Sequence, residues 1–242
     1  GAGAAGVRRD DRDEAAGNRN GSNLSTVLGI MELCWGDVGL LLSMPRQGLG
    51  NSAIASVATA EQLKRFEGKW AAMAITEPHC GSDSAAIRTT AELDGDHYVL
   101  NGEKWYSSAA SVADIAVVMA KTNPEAPRHE QFSTFIVELP DPGYNIVRDI
   151  PTMAVHGPLY EIMGGGHAEV KIENLRVPQE NLLGGEGKGF AMGQHRLAYG
   201  RLRHGMHNVA MAQRALDLAT EHVTKRSTFG KGLEDRQGVQ FM

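Results

Sequence analysis

Residues 87–107 alternate apolar and polar side chains around two turn dipeptides, a pattern with period two that a helix cannot use. The run reads Ile87–Leu93, Asp94-Gly95-Asp96, His97–Leu100, Asn101-Gly102 and Glu103–Ser107. Asp-Gly and Asn-Gly supply the positive φ angles that two-residue hairpin turns require. The pattern predicts strand, turn, strand, turn, strand. Ile115–Ala120 and Phe132–Val137 are short continuous apolar runs expected of buried strands, and Ala168–Ile172 alternates cleanly. No helical period separates these segments, so an antiparallel barrel or sandwich is expected.

Helical periods flank this region. Leu24, Val27, Leu28, Met31, Leu40 and Leu41 follow a partly helical spacing, and Pro45 interrupts it. A second helical stretch covers about 51–57, and Ala60–Phe66 reads as a short helix with Thr59 as its N-cap. Past Gly189 a long helix is predicted over Phe190–Arg226, with Leu202, Met206, Val209, Leu216 and Val223 on one stripe. Gly230 closes that section, and another helix starts at Asp235. The expected organisation is a disordered or non-native leader (1–22), a partial N-terminal helical domain (23–72), a β-barrel domain (73–183) and the first part of a C-terminal helical domain (184–242). The helical pattern is still running at Met242, so the C-terminal domain is expected to continue beyond it.

Residues 1–22 contain one apolar side chain larger than alanine, Val7, and cannot bury enough surface to offset their ordering entropy. A net charge of −5 with no Lys/Arg-rich segment argues against nucleic acid as a partner. Two cysteines, Cys34 and Cys80, are too few for a disulfide framework and fit a reducing, intracellular setting. No apolar stretch reads as a membrane span.

Several motifs fail their own structural tests. GAGAAG at residues 1–6 spells G-x-G-x-x-G, but no strand precedes it. Gly184-Gly-Glu-Gly-Lys188-Gly-Phe190 departs from phosphate-loop spacing and has no Ser/Thr after Lys188. His204 and His207 are three apart on one helix with no third ligand nearby, so no metal is expected. Gly164-Gly-Gly166 reads as a turn before a strand. Ser82 lacks the G-x-S-x-G setting of a nucleophile. His79 and Cys80 are adjacent on an extended segment, where side chains diverge.

Thr76, Ser82, Tyr106, Ser107 and Ser108 are more coherent. They sit at or just past strand ends, where loops present hydroxyls and backbone N–H groups to a ligand. Neutral donors of this kind suit a polar heteroaromatic ring or a diphosphate, and they equally suit the capping of strand ends.

An ordered set of motifs resembles the acyl-CoA dehydrogenases. It comprises Thr76-Glu-Pro78 with Gly81-Ser-Asp83, Asn101-Gly102-x-Lys104, Val177-Pro178-x-Glu-Asn181-Leu-Leu-Gly184, Gly187-x-Gly-Phe190, Gly200-Arg201, and Arg226-x-Thr228-Phe-Gly230 with Gln237. Trp105-Tyr-Ser-Ser108 and Met163-Gly-Gly-Gly-His-Ala-Glu-Val170 are similar to the subgroup containing human members ten and eleven.

The resemblance implies an α+β fold in which a central β domain lies between helical regions, and FAD as cofactor. On it, Met73, Ala74, Ile75, Thr76, Gly81, Ser82, Tyr106, Ser107 and Ser108 contact the cofactor, with Ser108 placed for flavin N5. Ser82 and Arg201 contact the CoA substrate. Arg226, Thr228 and Gln237 reach the FAD of a neighbouring subunit, which implies a homodimer or homotetramer. The implied reaction is α,β-dehydrogenation of an acyl-CoA thioester, with electrons passed to an electron-transfer flavoprotein. The implied compartment is the bacterial cytoplasm, or a mitochondrion or peroxisome. One departure concerns the base: Gly200 stands where some members carry a glutamate, so no catalytic base is assigned. That leaves a flavin oxidase or monooxygenase of the same superfamily, or a truncated non-catalytic chain, as alternatives.

Overall fold

The computed structural model describes residues 22–43, 48–153 and 166–241. The expectations for residues 1–21, for the interruption at Pro45 and for the turn at Gly164-Gly165 lie outside these. The chain divides into two compact units, one within residues 45–198 and the other combining 18–44 with 199–242.

The first unit is built on strands β1 (Ala71–Ala74), β2 (Thr90–Asp94), β3 (His97–Ser108), β4 (Ile115–Lys121), β5 (Phe132–Glu138), β6 (Tyr144–Asp149), β7 (His167–Pro178) and β8 (Leu182–Leu183). They form one eight-stranded sheet ordered β6-β7-β3-β2-β4-β5-β8, with β1 added alongside β4. Most pairs are antiparallel, as expected. The exceptions are β1, which runs parallel to β4 from Ala71↔Ile115 to Ala74↔Val118, and a single parallel register pair, Thr90↔Lys121. Among the described residues no ladder joins β6 to β8, so the expected barrel is hydrogen-bonded as an open sheet. The sheet is nevertheless curled. Tyr98 of β3 and Phe135 of β5 are three places apart, yet their ring centroids are 4.8 Å apart. A flat sheet would separate them by about 14 Å at ordinary strand spacing.

Both faces are buried, which explains the continuous apolar runs of β4 and β5. Ala116, Val118, Phe135, Val137, Val170 and Ile172 point into the interior of the curl. Ala71, Met73, Val117 and Ile136 point outward against Ala53 and Ile54 of helix α2 (Leu49–Val57) and Met192. Helix α3 (Ala60–Arg65) starts at Thr59 through a capping box, as predicted: Gln62 N donates to Thr59 Oγ1 at 3.2 Å and Thr59 N donates to Gln62 Oε1 at 3.1 Å. The same glutamine amide donates to the carbonyls of Glu180 and Leu182, so one residue caps the helix and ties it to β8.

Asn101-Gly102 is not a turn. β3 runs through it to Ser108, and the register against β7 shifts between Leu100 and Gly102. The dipeptide forms a bulge, which also uses the backbone freedom of glycine but keeps the strand going. A Cβ on Gly102 would lie 2.4 Å from Thr89 Oγ1 and 2.7 Å from Thr89 Cα, and its φ is +154°. Close approach of Thr89 selects glycine here.

In the second unit, helix α1 (Ser22–Ser43) breaks at Asp37, whose φ/ψ of −166°/113° is extended. Asp37 Oδ1 accepts from Leu40 N at 2.9 Å and so caps the second half. Cys34 and Leu41 pack against Ala210 of helix α4 (Gly189–Lys225). Trp35 Nε1 donates to Asp217 Oδ2 at 3.0 Å, and the Arg214 guanidinium lies 5.4 Å from the Trp35 ring centroid.

One expectation is corrected in this unit. The Leu24–Leu41 window is long and apolar enough to cross a membrane by length and composition, contrary to the sequence reading. It carries Glu32 and Asp37, and Cys34 and Leu41 within it are buried against Ala210 of α4. The predicted apolar stripe of α4 is largely uncovered among the described residues. Leu202, Val209 and Leu216 are exposed, whereas His207 and Ala210 are buried. Beyond α4, Ser227–Thr228 (β9) and Lys231–Gly232 (β10) form a small hairpin, followed by helix α5 (Gln237–Gln240).

Candidate functional site

The segment after β1 folds into a tight hairpin. Glu77 N donates to Cys80 O at 3.0 Å and Cys80 N to Glu77 O at 3.1 Å, with Pro78-His79 at the tip. Proline suits the first of these two positions because its φ is preset. The hairpin turns Glu77 inward, where it is 4% exposed and meets Lys104, which is fully buried. Lys104 Nζ lies 2.8 Å from Glu77 Oε1 and donates to Ile75 O at 3.1 Å. Glu77 also accepts from Thr89 Oγ1 (2.6 Å), Thr89 N (3.0 Å) and Arg88 N (2.6 Å). Thr76 O accepts from Trp105 N at 2.8 Å, so the hairpin is fastened to β3 by both side chain and main chain.

Burial alone would raise the Glu77 carboxyl, but the Lys104 charge and the converging donors hold it below the ordinary glutamate range. Burial pushes the Lys104 ammonium the other way, below the ordinary lysine range, with the Glu77 charge opposing. These two directions pull against each other. We take the pair as ionised at neutral pH because the hydrogen-bond partners of the Glu77 carboxylate among the described residues are donors and those of Lys104 are acceptors. Glu77, His79 and Cys80 have ligand atoms within 4.8 Å of one another. Glu77 is already committed to an ammonium, so this cluster is not read as a metal site.

β3 is distorted a second time where it passes the hairpin. Its register against β7 shifts between Lys104 and Ser107, Tyr106 has φ +55° and Ala109 has φ +58°. Non-glycine residues in this region are strained, and such strain clusters at ligand sites. The bulge turns Tyr106 outward, leaving it 48% exposed, with its ring edge-on to Trp105 at 5.9 Å. Ser107 faces inward and is fully buried, with its hydroxyl next to the phenol of the buried Tyr144. Ser108 is half-buried, and its Oγ lies 2.8 Å from His167 Nδ1.

The structure thus brings Thr76, Tyr106, Ser107 and Ser108 to one end of the sheet, around the hairpin and the bulge. Met73 and Ala74 are buried in β1, Ile75 is half-buried, and Gly81 and Ser82 are exposed past the hairpin. Gly200 and Arg201 lie on α4; Arg226, Thr228 and Gln237 follow at its end, in β9 and at the start of α5. These five belong to the other unit. Arg201, Arg226 and Gln237 are exposed.

Sequence reasoning gave Glu77 no task and passed over Thr89 and His167. A usable signal existed for the first: Lys104 interrupts an apolar–polar strand at a position that points inward, and a buried ammonium needs a carboxylate.

The curled sheet flanked by helices, with a strained aromatic–serine segment against a tight hairpin, defines a protein of the acyl-CoA dehydrogenase fold. Residues 72–164 match the acyl-CoA dehydrogenase middle-domain family and residues 187–242 match the acyl-CoA dehydrogenase C-terminal-domain family, together more than half of the chain. The chain belongs to the acyl-CoA dehydrogenase family. It is 41% identical over 172 residues to the probable acyl-CoA dehydrogenase FadE2 of Mycobacterium tuberculosis, covering 70% of this chain and 41% of that protein. It is 39% identical over 191 residues to acyl-CoA dehydrogenase family member 11 of Gallus gallus, covering 75% of this chain and 24% of that one. Among solved structures, butyryl-CoA dehydrogenase from Megasphaera elsdenii superposes with a TM-score of 0.72 at 28% identity, over 99% of this chain and 62% of the other. The chain therefore spans less than half the length of these two curated relatives.

Gly200 offers one local test. A Cβ there would meet nothing within 4 Å, and the residue lies inside α4. Gly200→Ala is expected to stabilise the protein by about 1 kcal/mol through helix propensity, read as a raised midpoint in urea unfolding.

Proposed function

We propose that this chain forms part of an FAD-dependent dehydrogenase that introduces a double bond between the α and β carbons of an acyl-CoA thioester. The observation that carries the reading is the bulged end of β3. There an exposed tyrosine and a half-buried serine hydroxyl stand beside Thr76, in a chain of this family. The residues suit a flavin. Tyr106 offers an aromatic surface, Ser108 a hydroxyl, and the Thr76 side chain makes no hydrogen bond among the described residues. When bound, FAD would supply the hydride-accepting chemistry that no side chain provides.

The protein's own residues supply placement. Thr76 and Ser108 would hold the ring, with residues 73–75 and 81–82 around it, and the Glu77–Lys104 pair fixes the hairpin that carries Thr76. Ser82 and Arg201 are assigned to the CoA portion. Arg226, Thr228 and Gln237 are assigned to a neighbouring subunit's cofactor, in a homodimer or homotetramer. The exposure of Arg226 and Gln237 supports that assignment. Gly200 has no side chain, so that position supplies no proton-abstracting carboxylate. The family resemblance supports an electron-transfer flavoprotein as acceptor and an intracellular compartment.

The test is anaerobic titration of the purified protein. It is expected to copurify with, or take up, FAD, and to lose flavin absorbance when an acyl-CoA is added. Stable FAD binding with no bleaching by any acyl-CoA from short to long chain would reject the dehydrogenase reading. Failure to bind FAD would reject the cofactor assignment as well.

A further inference from the structure

Ser108 and His167 are directly opposed in the β3–β7 ladder, and their side chains meet: Ser108 Oγ lies 2.8 Å from His167 Nδ1. The surrounding backbone holds the pair in place. Tyr106 and Ala109, at φ +55° and +58°, bracket the two serines, Ala109 N donates to Gly166 O at 2.8 Å, and Ile150 N donates to His167 O at 2.8 Å. The two main chains beside the pair are therefore fixed, and the remaining freedom lies in the hydroxyl rotor.

A serine hydroxyl has one proton and two lone pairs. While it donates to His167 Nδ1 it offers a second partner only lone pairs. While it accepts from a protonated Nδ1 its own proton is free for another acceptor. The direction of this one bond decides what Ser108 presents to a ligand.

We infer that His167 is a positioning residue: its Nδ1 sets the direction in which the Ser108 hydroxyl is presented to the cofactor. The inference rests on the proposed function. His167 touches no ligand on this reading and acts only through Ser108. Asparagine keeps a polar δ atom in about the position of Nδ1, whereas alanine frees the rotor.

The experiment is a cycle of His167→Ala, His167→Asn, Ser108→Ala and Ser108→Ala/His167→Ala in the full-length protein. FAD affinity is measured by fluorescence quenching and the flavin environment by its visible absorbance band. One hydrogen bond is worth about 0.5–1.5 kcal/mol net, which converts to a roughly 2- to 10-fold loss of FAD affinity for His167→Ala. A shifted flavin band should accompany it. His167→Asn should restore both to near wild type, and His167→Ala should have no further effect once Ser108 is alanine. A purely structural histidine would instead weaken FAD binding equally in both serine backgrounds. That result, or His167→Ala matching wild type while Ser108→Ala does not, overturns the inference and leaves the proposed function standing. A wild-type protein that binds no FAD overturns both.

Discussion

Lys104→Met is expected to destabilise the first unit by about 3–5 kcal/mol, the cost of leaving one member of a buried ion pair without its partner. Lys104 is fully buried, and among the described residues its ammonium hydrogen-bonds to Glu77 Oε1 and Ile75 O. Methionine fills most of the same volume, so little of the loss should come from a cavity. Glu77→Gln should cost less. An amide can still accept from Thr89 and Arg88 N, although its NH2 group would then face donors. The double variant Lys104→Met/Glu77→Leu removes both charges and should recover part of the Lys104→Met loss. Guanidinium unfolding of the four proteins checks this, and equal stability of Lys104→Met and wild type would show that the pair holds nothing.

The same pair gives a pH dependence. The Glu77 carboxyl is held below its ordinary range in the folded state by Lys104 and its hydrogen-bond donors acting against burial. A depressed carboxylate contributes stability that is complete above the unfolded value of about 4.3 and is lost as pH falls through the folded value. Wild type should therefore lose stability below about pH 4 through this group. In Lys104→Met the charge that opposes burial is gone, so this part of the acid limb should flatten.

Gly102→Ala is expected to cost about 3 kcal/mol or more, combining a strained φ with overpacking. The new methyl carbon would sit 2.7 Å from Thr89 Cα, which is main chain and has no rotamer to yield. Moving Thr89 away would stretch its two bonds to Glu77, so the damage should spread to the hairpin. The check is a pair of unfolding curves with FAD titrations. If alanine at this position leaves both stability and FAD affinity unchanged, close packing against Thr89 is not what selects glycine.

Several element boundaries were legible because they depend on local periodicity, whereas β6 and the extension of β7 to Pro178 were not read. The long helix was expected over 190–226 and spans Gly189–Lys225, and β4 and β5 were each one residue longer than expected. The Thr59 cap was readable for the same reason, since its partner is three residues away. Asn101-Gly102 was misread because a hairpin turn and a bulge call on the same glycine freedom. Only the approach of Thr89 from another segment distinguishes them. The α4 stripe was legible as an apolar face, and Leu202, Val209 and Leu216 on it are exposed: spacing shows what needs covering, not what covers it. Among the described residues, α1 packs on the neighbouring face through Ala210.

By itself, the sequence determined the helix–sheet–helix order, the β region's hydrophobic faces and the family, because each is written in nearest-neighbour spacing or in an ordered run of short motifs. Tertiary structure alone decided that Glu77 meets Lys104, that Thr89 donates to the same carboxylate, and that Ser108 faces His167. Those partners lie 12 to 59 positions apart in the chain. No local rule selects one distant charge or hydroxyl over another; the curl of the sheet and the two bulges of β3 do.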